Sequence, residues 1–225
     1  MKIGILLCGL AQPRMANKHG YYDQQFRELL MPLGFECKTF AVVANQLPPA
    51  DDDCDGYLIS GSAHNLDEPL PWTQPLLDWI KGMYGAKPMV GVCFGHQAIA
   101  KALGGTVEAA KTVYQTGVVE YNRTDGSSDT VAAWHGQQVI ELPPIDLEVT
   151  ASAKHCPYAN IVYANKAISF QSHPEFSDTY IADLYDTHKA TLDETAHEFY
   201  GSNLGRIKVE HDIGREIAEF YWENA

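Results

Sequence analysis

Residues 87–105 have the sequence KPMVGVCFGHQAIAKALGG. Its apolar first part predicts entry into a buried strand, and its small-residue second part predicts a helix that ends at two glycines. Cys93 lies at the junction, between Gly91 and Gly95. Flanking glycines allow a sharp strand-to-helix turn, because no Cβ atoms collide with neighbouring segments. The stretch therefore predicts a nucleophile elbow within an α/β layer fold.

Cys93 at this position is a candidate nucleophile. A thiol in the first turn of a helix lies at the positive end of the helix dipole, which favours the thiolate. The alternative is a buried cysteine that packs as a small apolar side chain. The elbow sequence favours the role of Cys93 as a nucleophile over that of a packing residue.

A second candidate group lies at His173 and Glu175, in the segment ISFQSHPEF at 168–176. The segment begins with strand-like alternation, and side chains two apart on a strand share a face. Pro174 cannot donate a ladder hydrogen bond, so we expect the strand to end near it. A thiol needs a base, and the base needs an acceptor that orients it; His173 and Glu175 have the chemistry for these two roles.

Together, the segments 91–97 and 173–175 resemble the class I, triad-type glutamine amidotransferases, and most of all stand-alone proteins similar to the amidotransferase domain of GMP synthase. The separation of 80 positions between Cys93 and His173 suits that domain. The resemblance extends from residue 1 to about residue 176. It implies that Cys93, His173 and Glu175 form a catalytic triad.

The same resemblance implies an oxyanion site. Residues 57–62, YLISGS, match a strand that leads into a Gly-Gly turn, whose backbone N–H binds the oxyanion in the family. The corresponding positions here are Gly61 and Ser62; Ser62 replaces a common glycine, which a backbone donor tolerates. Phe94, directly after the nucleophile, would supply the second N–H.

Four further residues are implied in substrate binding: Gln97, Trp134, His135 and Gly136. Gln97 follows the elbow by one helical turn, and its alternative role is to bind local backbone groups. His135 is not expected to be the base, since His173 already has a carboxylate partner. Gln137 departs from the family pattern, where synthase domains often carry Asp.

Composition predicts a protein of the cytoplasm. The chain has 225 residues, 45% of them hydrophobic, and a net charge of −13, which argues against nucleic-acid or anionic-membrane partners. Five cysteines without paired spacing argue against a disulfide framework, and no apolar run approaches the ~20 residues that span a bilayer. The histidines lack metal-ligand spacing, so neither a metal nor a cofactor is expected. The acidic run at 51–55 is interpreted as a solvated loop.

We expect an α/β fold of three layers: a flavodoxin-like, mixed, mostly parallel sheet flanked by helices, with an antiparallel flank and a C-terminal helical extension. The chain would be a single domain, 1–225, with a core at 1–176 and the extension at 177–225. The loop 13–22, with His19, Tyr21 and Tyr22, is expected to rim the pocket. Predicted strands are 2–7, 35–43, 57–60 and 89–92, and predicted helices are 22–33, 71–84, 178–192, 195–200 and 206–222. The extension is interpreted as packing on the domain, with a dimerisation arm as the alternative.

Three functions remain open at this stage. The first is glutamine hydrolysis through a γ-glutamyl thioester, with ammonia passed to a separate synthase. The second is a γ-glutamyl peptidase or hydrolase with the same triad. The third is a non-catalytic binding module that retains the fold, although the presence of all three triad residues argues against it. Fold alone does not separate them.

Overall fold

Strands and helices alternate along the first half of the chain, as the sequence predicts. The computed structural model describes residues 1–110, 114–164, 166–201 and 212–225. The strands in these ranges are β1 (Lys2–Leu6), β2 (Glu36–Phe40), β3 (Gly56–Ile59), β4 (Met89–Val92), β5 (Thr106–Ala109), β6 (Gln115–Arg123), β7 (Ser128–His135), β8 (Gln137–Glu141), β9 (Glu148–Ala153), β10 (Cys156–Tyr163) and β11 (Ala167–Phe170).

A nine-stranded mixed sheet, in the order β2-β1-β3-β4-β11-β10-β9-β6-β7, forms the centre of the described structure. The five strands from β2 to β11 are parallel. Strands β3, β4 and β11 are buried along their whole length, which explains their continuous apolar sequences. Because β4 and β11 are parallel neighbours, the segments that follow them, with Cys93 and His173, meet at the same edge of the sheet.

The remaining four strands of the sheet form the predicted antiparallel flank. Strand β10 pairs antiparallel with β11 and β9, and β6 pairs antiparallel with β9 and β7. Strands β5 and β8 form a separate antiparallel pair. The α/β class and the mixed sheet are confirmed.

Helices cover the sheet, and their bounds differ from prediction in one important place. They are α1 (Pro13–His19), α2 (Tyr22–Leu30), α3 (Thr73–Met83), α4 (Phe94–Ala102), α5 (Asp178–His188), α6 (Glu194–Gly201) and α7 (Ile213–Asn224). The prediction of a loop over 13–22 is wrong, because most of it is α1. Pro13 occupies the first helical turn, where its missing N–H has no intrahelical acceptor to lose.

The C-terminal helices pack on the sheet. Ile217 and Tyr221 of α7 are buried in the core cluster that also contains Cys93, and the Tyr221 hydroxyl donates to the carbonyl of Tyr57 at 2.8 Å. Helix α7 therefore packs on the domain and is not an extended arm. The part of the predicted 206–222 helix at 206–211 lies outside the described residues. None of the described helices combines the length and hydropathy needed to span a bilayer.

Candidate active site

Cys93 occupies a strained turn between β4 and α4. Its φ of 51° and ψ of −102° are unusual for a residue with a side chain, and such strain is characteristic of functional sites. The Cys93 N–H donates to the carbonyl of Phe170 at 2.8 Å, which ties the elbow to the end of β11. The thiol is 5% exposed. The turn presents Sγ at the sheet edge where β11 also ends.

The two glycines beside Cys93 permit close packing. A Cβ on Gly91 would lie 2.6 Å from the backbone of Gly95. A Cβ on Gly95 would lie 2.1 Å from the carbonyl oxygen of Ile59 on β3. The start of α4 therefore lies directly against β3, and this contact fixes where the elbow places the thiol.

His173 lies in a turn after β11. The strand ends at Phe170, so His173 and Glu175 do not lie on a strand, and the prediction that they share a strand face is wrong. The two side chains nevertheless meet: His173 Nδ1 lies 2.7 Å from Glu175 Oε1. The His173 N–H donates to the carbonyl of Ala132 at 2.8 Å, and its ring stacks on Phe176 with centroids 4.0 Å apart. These contacts fix the backbone of His173, one edge of its imidazole and one face.

The surroundings of His173 favour its protonated form. Burial alone would lower the pKa of His173, but the carboxylate of Glu175 and the nearby sulfur of Cys93 outweigh burial and raise this pKa to about 10. Imidazolium is therefore the stable form at neutral pH. The site brings Cys93, His173 and Glu175 into one contiguous group.

The predicted oxyanion residues lie beside this group. A Cβ on Gly61 would lie 2.9 Å from His173 Cε1 and 3.8 Å from Cys93 Cβ, so only glycine leaves room here. The Ser62 hydroxyl donates to the carbonyl of Cys8 at 2.8 Å and fixes the turn. Among the described residues, neither the Ser62 N–H nor the Phe94 N–H is engaged in a hydrogen bond.

A cavity of about 260 Å³ opens over the thiol. Cys93 and His173 line it, whereas Glu175 lies behind the imidazole. Six other predicted residues also line the cavity: Ser62, Phe94, Gln97, Trp134, His135 and Gly136. The structure therefore assembles the sequence candidates around one space.

Two of these residues show how the cavity wall is built. Gln97 Nε2 donates to the carbonyl of Gln137 at 2.7 Å and to Gln171 Oε1 at 3.2 Å, so its amide nitrogen serves local groups, as in the alternative interpretation. His135 Nδ1 lies 3.0 Å from the Gln137 carbonyl and Nε2 is buried without a partner. Burial outweighs that contact, and with the nearby charge of His173 it lowers the pKa of His135 to about 4. His135 is therefore a neutral acceptor and not a base at pH 7.

Sequence reasoning missed an aromatic side of the cavity. The Trp134 ring lies between Tyr114 and His188, with centroid distances of 6.3 and 5.8 Å. Leu184 and His188 come from α5, so the helical extension lines the cavity. Their separation of four residues, one turn of a helix that starts just after Glu175, is the signal that could have identified them.

The segment 13–22 lines less of the cavity than predicted. Tyr22 lines the cavity, as predicted. Tyr21 and His19 do not line it; His19 Nε2 lies 2.6 Å from Asp183 Oδ2 and ties α1 to α5. The formation of α1 explains the difference, because His19 at its end faces α5.

One further group in the described part of the chain has metal-ligating side chains: Asp52, Asp53 and Cys54, with candidate atoms within 4.8 Å of one another. Lys2 pairs with Asp53 at 2.5 Å, and Lys38 pairs with Asp52. Both carboxylates are therefore paired with lysines. Asp53 is exposed, as expected for a solvated loop, but the Asp52 side chain is buried, so that interpretation is wrong for Asp52.

Residues 18–184 match the model of the family "Glutamine amidotransferase class-I". The match covers most of the chain and includes the elbow, the Gly61 turn and the His173 segment. The chain therefore belongs to the class-I glutamine amidotransferase family, and it is an enzyme of the amidotransferase and hydrolase type.

Individual relatives agree with this assignment. The chain is 29% identical over 190 residues to gamma-glutamyl peptidase 4 of Arabidopsis thaliana, covering 75% of this chain and 73% of that protein. It is 29% identical over 178 residues to the glutamine-hydrolysing GMP synthase of Edwardsiella ictaluri, covering 71% of this chain and 32% of the synthase. A glutamine amidotransferase of Thermotoga maritima, 15% identical, superimposes with a TM-score of 0.73 over 99% of this chain and 96% of its own, which supports the fold.

Proposed function

We propose that this protein hydrolyses the side-chain amide of glutamine, or of a γ-glutamyl compound, through a Cys93-His173-Glu175 triad. One observation carries the proposal: a strained elbow presents the Cys93 thiol to an imidazole that Glu175 holds at 2.7 Å. An imidazolium beside a thiol favours the thiolate, which is the nucleophilic form. Family membership makes this chemistry the expected one.

The first half of the reaction forms a thioester. The Cys93 thiolate attacks the amide carbon, and the carbonyl oxygen becomes an anion that the N–H groups of Phe94 and Ser62 stabilise. His173 then donates its proton to the leaving nitrogen. Ammonia, or the amine of a γ-glutamyl compound, departs as the C–N bond breaks, and a γ-glutamyl thioester remains.

The second half hydrolyses the thioester. Neutral His173 accepts a proton from water as the water oxygen attacks the thioester carbon, and the same N–H groups bind the second oxyanion. The C–S bond breaks, glutamate leaves, and the proton on His173 restores the thiolate–imidazolium pair. Glu175 orients the ring throughout and stabilises its charged form.

Substrate binding is assigned to the cavity wall around Gln97, Trp134, His135 and Gly136. The Nε2 atom of His135, buried in this wall, is an acceptor without a partner among the described residues. Gly136 lets the Tyr114 ring close over the backbone, since a Cβ there would lie 2.6 Å from that ring. The wall thereby offers acceptors together with aromatic surface.

Cleavage of γ-glutamyl peptides is the second candidate function. It is favoured by the similarity to a γ-glutamyl peptidase over 73% of that protein's length. The match to GMP synthase covers 32% of the synthase, so delivery of ammonia to a separate synthase is a proposal of its own. A binding role without catalysis is the third candidate, which the intact triad argues against.

The test compares ammonia release from glutamine with cleavage of a panel of γ-glutamyl peptides. Cys93→Ala should abolish turnover, and Cys37→Ala, which changes a half-buried thiol on β2, serves as the matched control. Preference for glutamine supports hydrolysis coupled to ammonia delivery, and preference for peptides supports the second candidate. Inactivity on every compound, with no labelling of Cys93 by a glutamine-mimicking electrophile, would refute a catalytic role.

A further inference from the structure

Glu175 has one oxygen that the triad does not use. Oε1 contacts His173 Nδ1 at 2.7 Å. Oε2 is buried and has no hydrogen-bond partner among the described residues. A carboxylate oxygen withdrawn from water without a donor is costly, so its surroundings need an explanation.

Further unpaired polar groups lie on the same side of the triad. The Tyr180 hydroxyl of α5 is buried without a hydrogen bond, and so are both amide atoms of Gln25 on α2. Gln25 is 6% and Tyr180 is 2% exposed. Buried polar atoms without partners are rare in proteins, and here the three residues that carry them border one space. That space is a cavity of about 580 Å³ whose wall includes Gln25, Glu175 and Tyr180.

A stack of rings links Tyr180 to the catalytic imidazole. The Tyr180 ring lies 4.1 Å from that of Phe176, which itself stacks on His173 at 4.0 Å. Burial, together with the negative charge of Glu175, raises the pKa of Tyr180 to about 12, although contacts with Gln25 and Tyr22 oppose this rise. The phenol keeps its proton at neutral pH and remains a donor.

We propose that Tyr180 and Gln25 are positioning residues of the reaction: a small rotation of either side chain brings its hydroxyl or amide donor to Glu175 Oε2, so that Glu175 holds His173 against Cys93. This inference rests on the proposed function. The elements packed around the triad bring further titratable and charged groups to it. They are Tyr22 and His135 beside the triad, and Lys18, His19, Arg27 and Glu28 around the cavity.

A purely structural role makes the opposite prediction. Removing an unpaired buried hydroxyl or amide relieves a desolvation cost, so the variant would be equally or more stable and equally active. Positioning groups instead lower stability in return for function, a compromise common at active sites. The two roles are therefore separable by measuring turnover and thermal unfolding on the same variants.

The experiment uses Tyr180→Phe, which keeps the ring stack, and Gln25→Met, which keeps the chain length. Tyr185→Phe is the matched control: it removes a phenol hydroxyl from the same helix, where Tyr185 contacts His197 Nδ1 at 2.8 Å. We expect about tenfold lower kcat in both test variants, the effect of losing a hydrogen bond to a charged group. KM and the unfolding temperature should not fall.

A second readout does not require the substrate to be known. The rate at which iodoacetamide alkylates Cys93, measured against pH, reports the thiolate that the imidazolium stabilises. A carboxylate without its donors holds the imidazolium less well, so the acid limb of this profile should move to higher pH in Tyr180→Phe and Gln25→Met. Tyr185→Phe should reproduce the wild-type limb.

The outcomes separate the two proposals. Test variants that match Tyr185→Phe in both kcat and alkylation profile would overturn the positioning role. A wild-type protein that cleaves none of the γ-glutamyl compounds would overturn the proposed function, while a shifted alkylation limb in the test variants would still support the positioning of Glu175. If Tyr180→Phe failed to fold, kcat and the alkylation profile of Gln25→Met alone would test the positioning role.

Discussion

Gly95→Ala changes one hydrogen for a methyl group at the tightest contact of the elbow. The new Cβ would lie 2.1 Å from the Ile59 carbonyl oxygen, where real Cβ atoms essentially never approach below 3.0 Å. The start of α4 must therefore move from β3 by about 0.9 Å. Overpacking of this kind costs about 1–3 kcal/mol. A misplacement of about 1 Å at reacting groups can lower the rate about 100-fold.

Two assays check this prediction: urea unfolding gives the loss of stability, and alkylation of Cys93 or turnover gives the loss of rate. Gly82→Ala is the matched control, since Gly82 lies in α3 and a Cβ there meets nothing within 4 Å. The control should gain about 0.5–1 kcal/mol, because alanine loses less backbone entropy than glycine in a helix. If Gly95→Ala proves as stable and as active as Gly82→Ala, then the contact with Ile59 does not position the thiol.

Three other changes have defined outcomes. The folded-state pKa of His173 is raised from 6.5 to about 10, so wild type should be more stable than His173→Gln at pH 6.5. This difference in the free energy of unfolding should disappear as the pH rises to 10. A difference that stays constant with pH would contradict the raised pKa. Arg123 pairs with Glu216 of α7 at 3.0 and 3.1 Å and with the buried Asp129 at 3.2 Å. Arg123→Met should therefore cost about 3 kcal/mol in the urea assay, because the buried Asp129 carboxylate loses this partner; an unchanged stability would contradict the importance of these pairs. Tyr221→Phe removes the bond to Tyr57 and should cost about 1 kcal/mol in the same urea assay; no loss would mean that this bond does not secure α7.

The elbow could be predicted from sequence because local pattern determines it. The bounds of β4, Met89–Val92, agree with the predicted strand, since an apolar run before a glycine-flanked turn has few alternatives. The antiparallel flank was also predictable as a class, from short strand-like pieces separated by turns. Contacts between Cys93, His173 and Glu175 followed from the family resemblance, and their geometry came from the adjacent parallel strands β4 and β11.

Features that depend on tertiary packing were not predictable in this way. The polar, proline-led segment at 13–19 resembles a loop locally, yet it is helical and packs on α5 through His19 and Asp183. The position of His188 in the cavity wall depends on how α5 crosses the sheet edge, which no local pattern specifies. Gln97 turns its amide to Gln137 because β8 passes beside α4, a contact between segments 40 residues apart.

The most direct test of the central claim is to trap the acyl-enzyme. The protein is mixed with glutamine or a cleavable γ-glutamyl peptide, quenched in acid within a turnover, digested, and analysed by mass spectrometry. We predict one glutamyl group in thioester linkage on the peptide that contains Cys93, and none in Cys93→Ala. Turnover with no acyl group on Cys93, or with the group on another residue, would contradict the account.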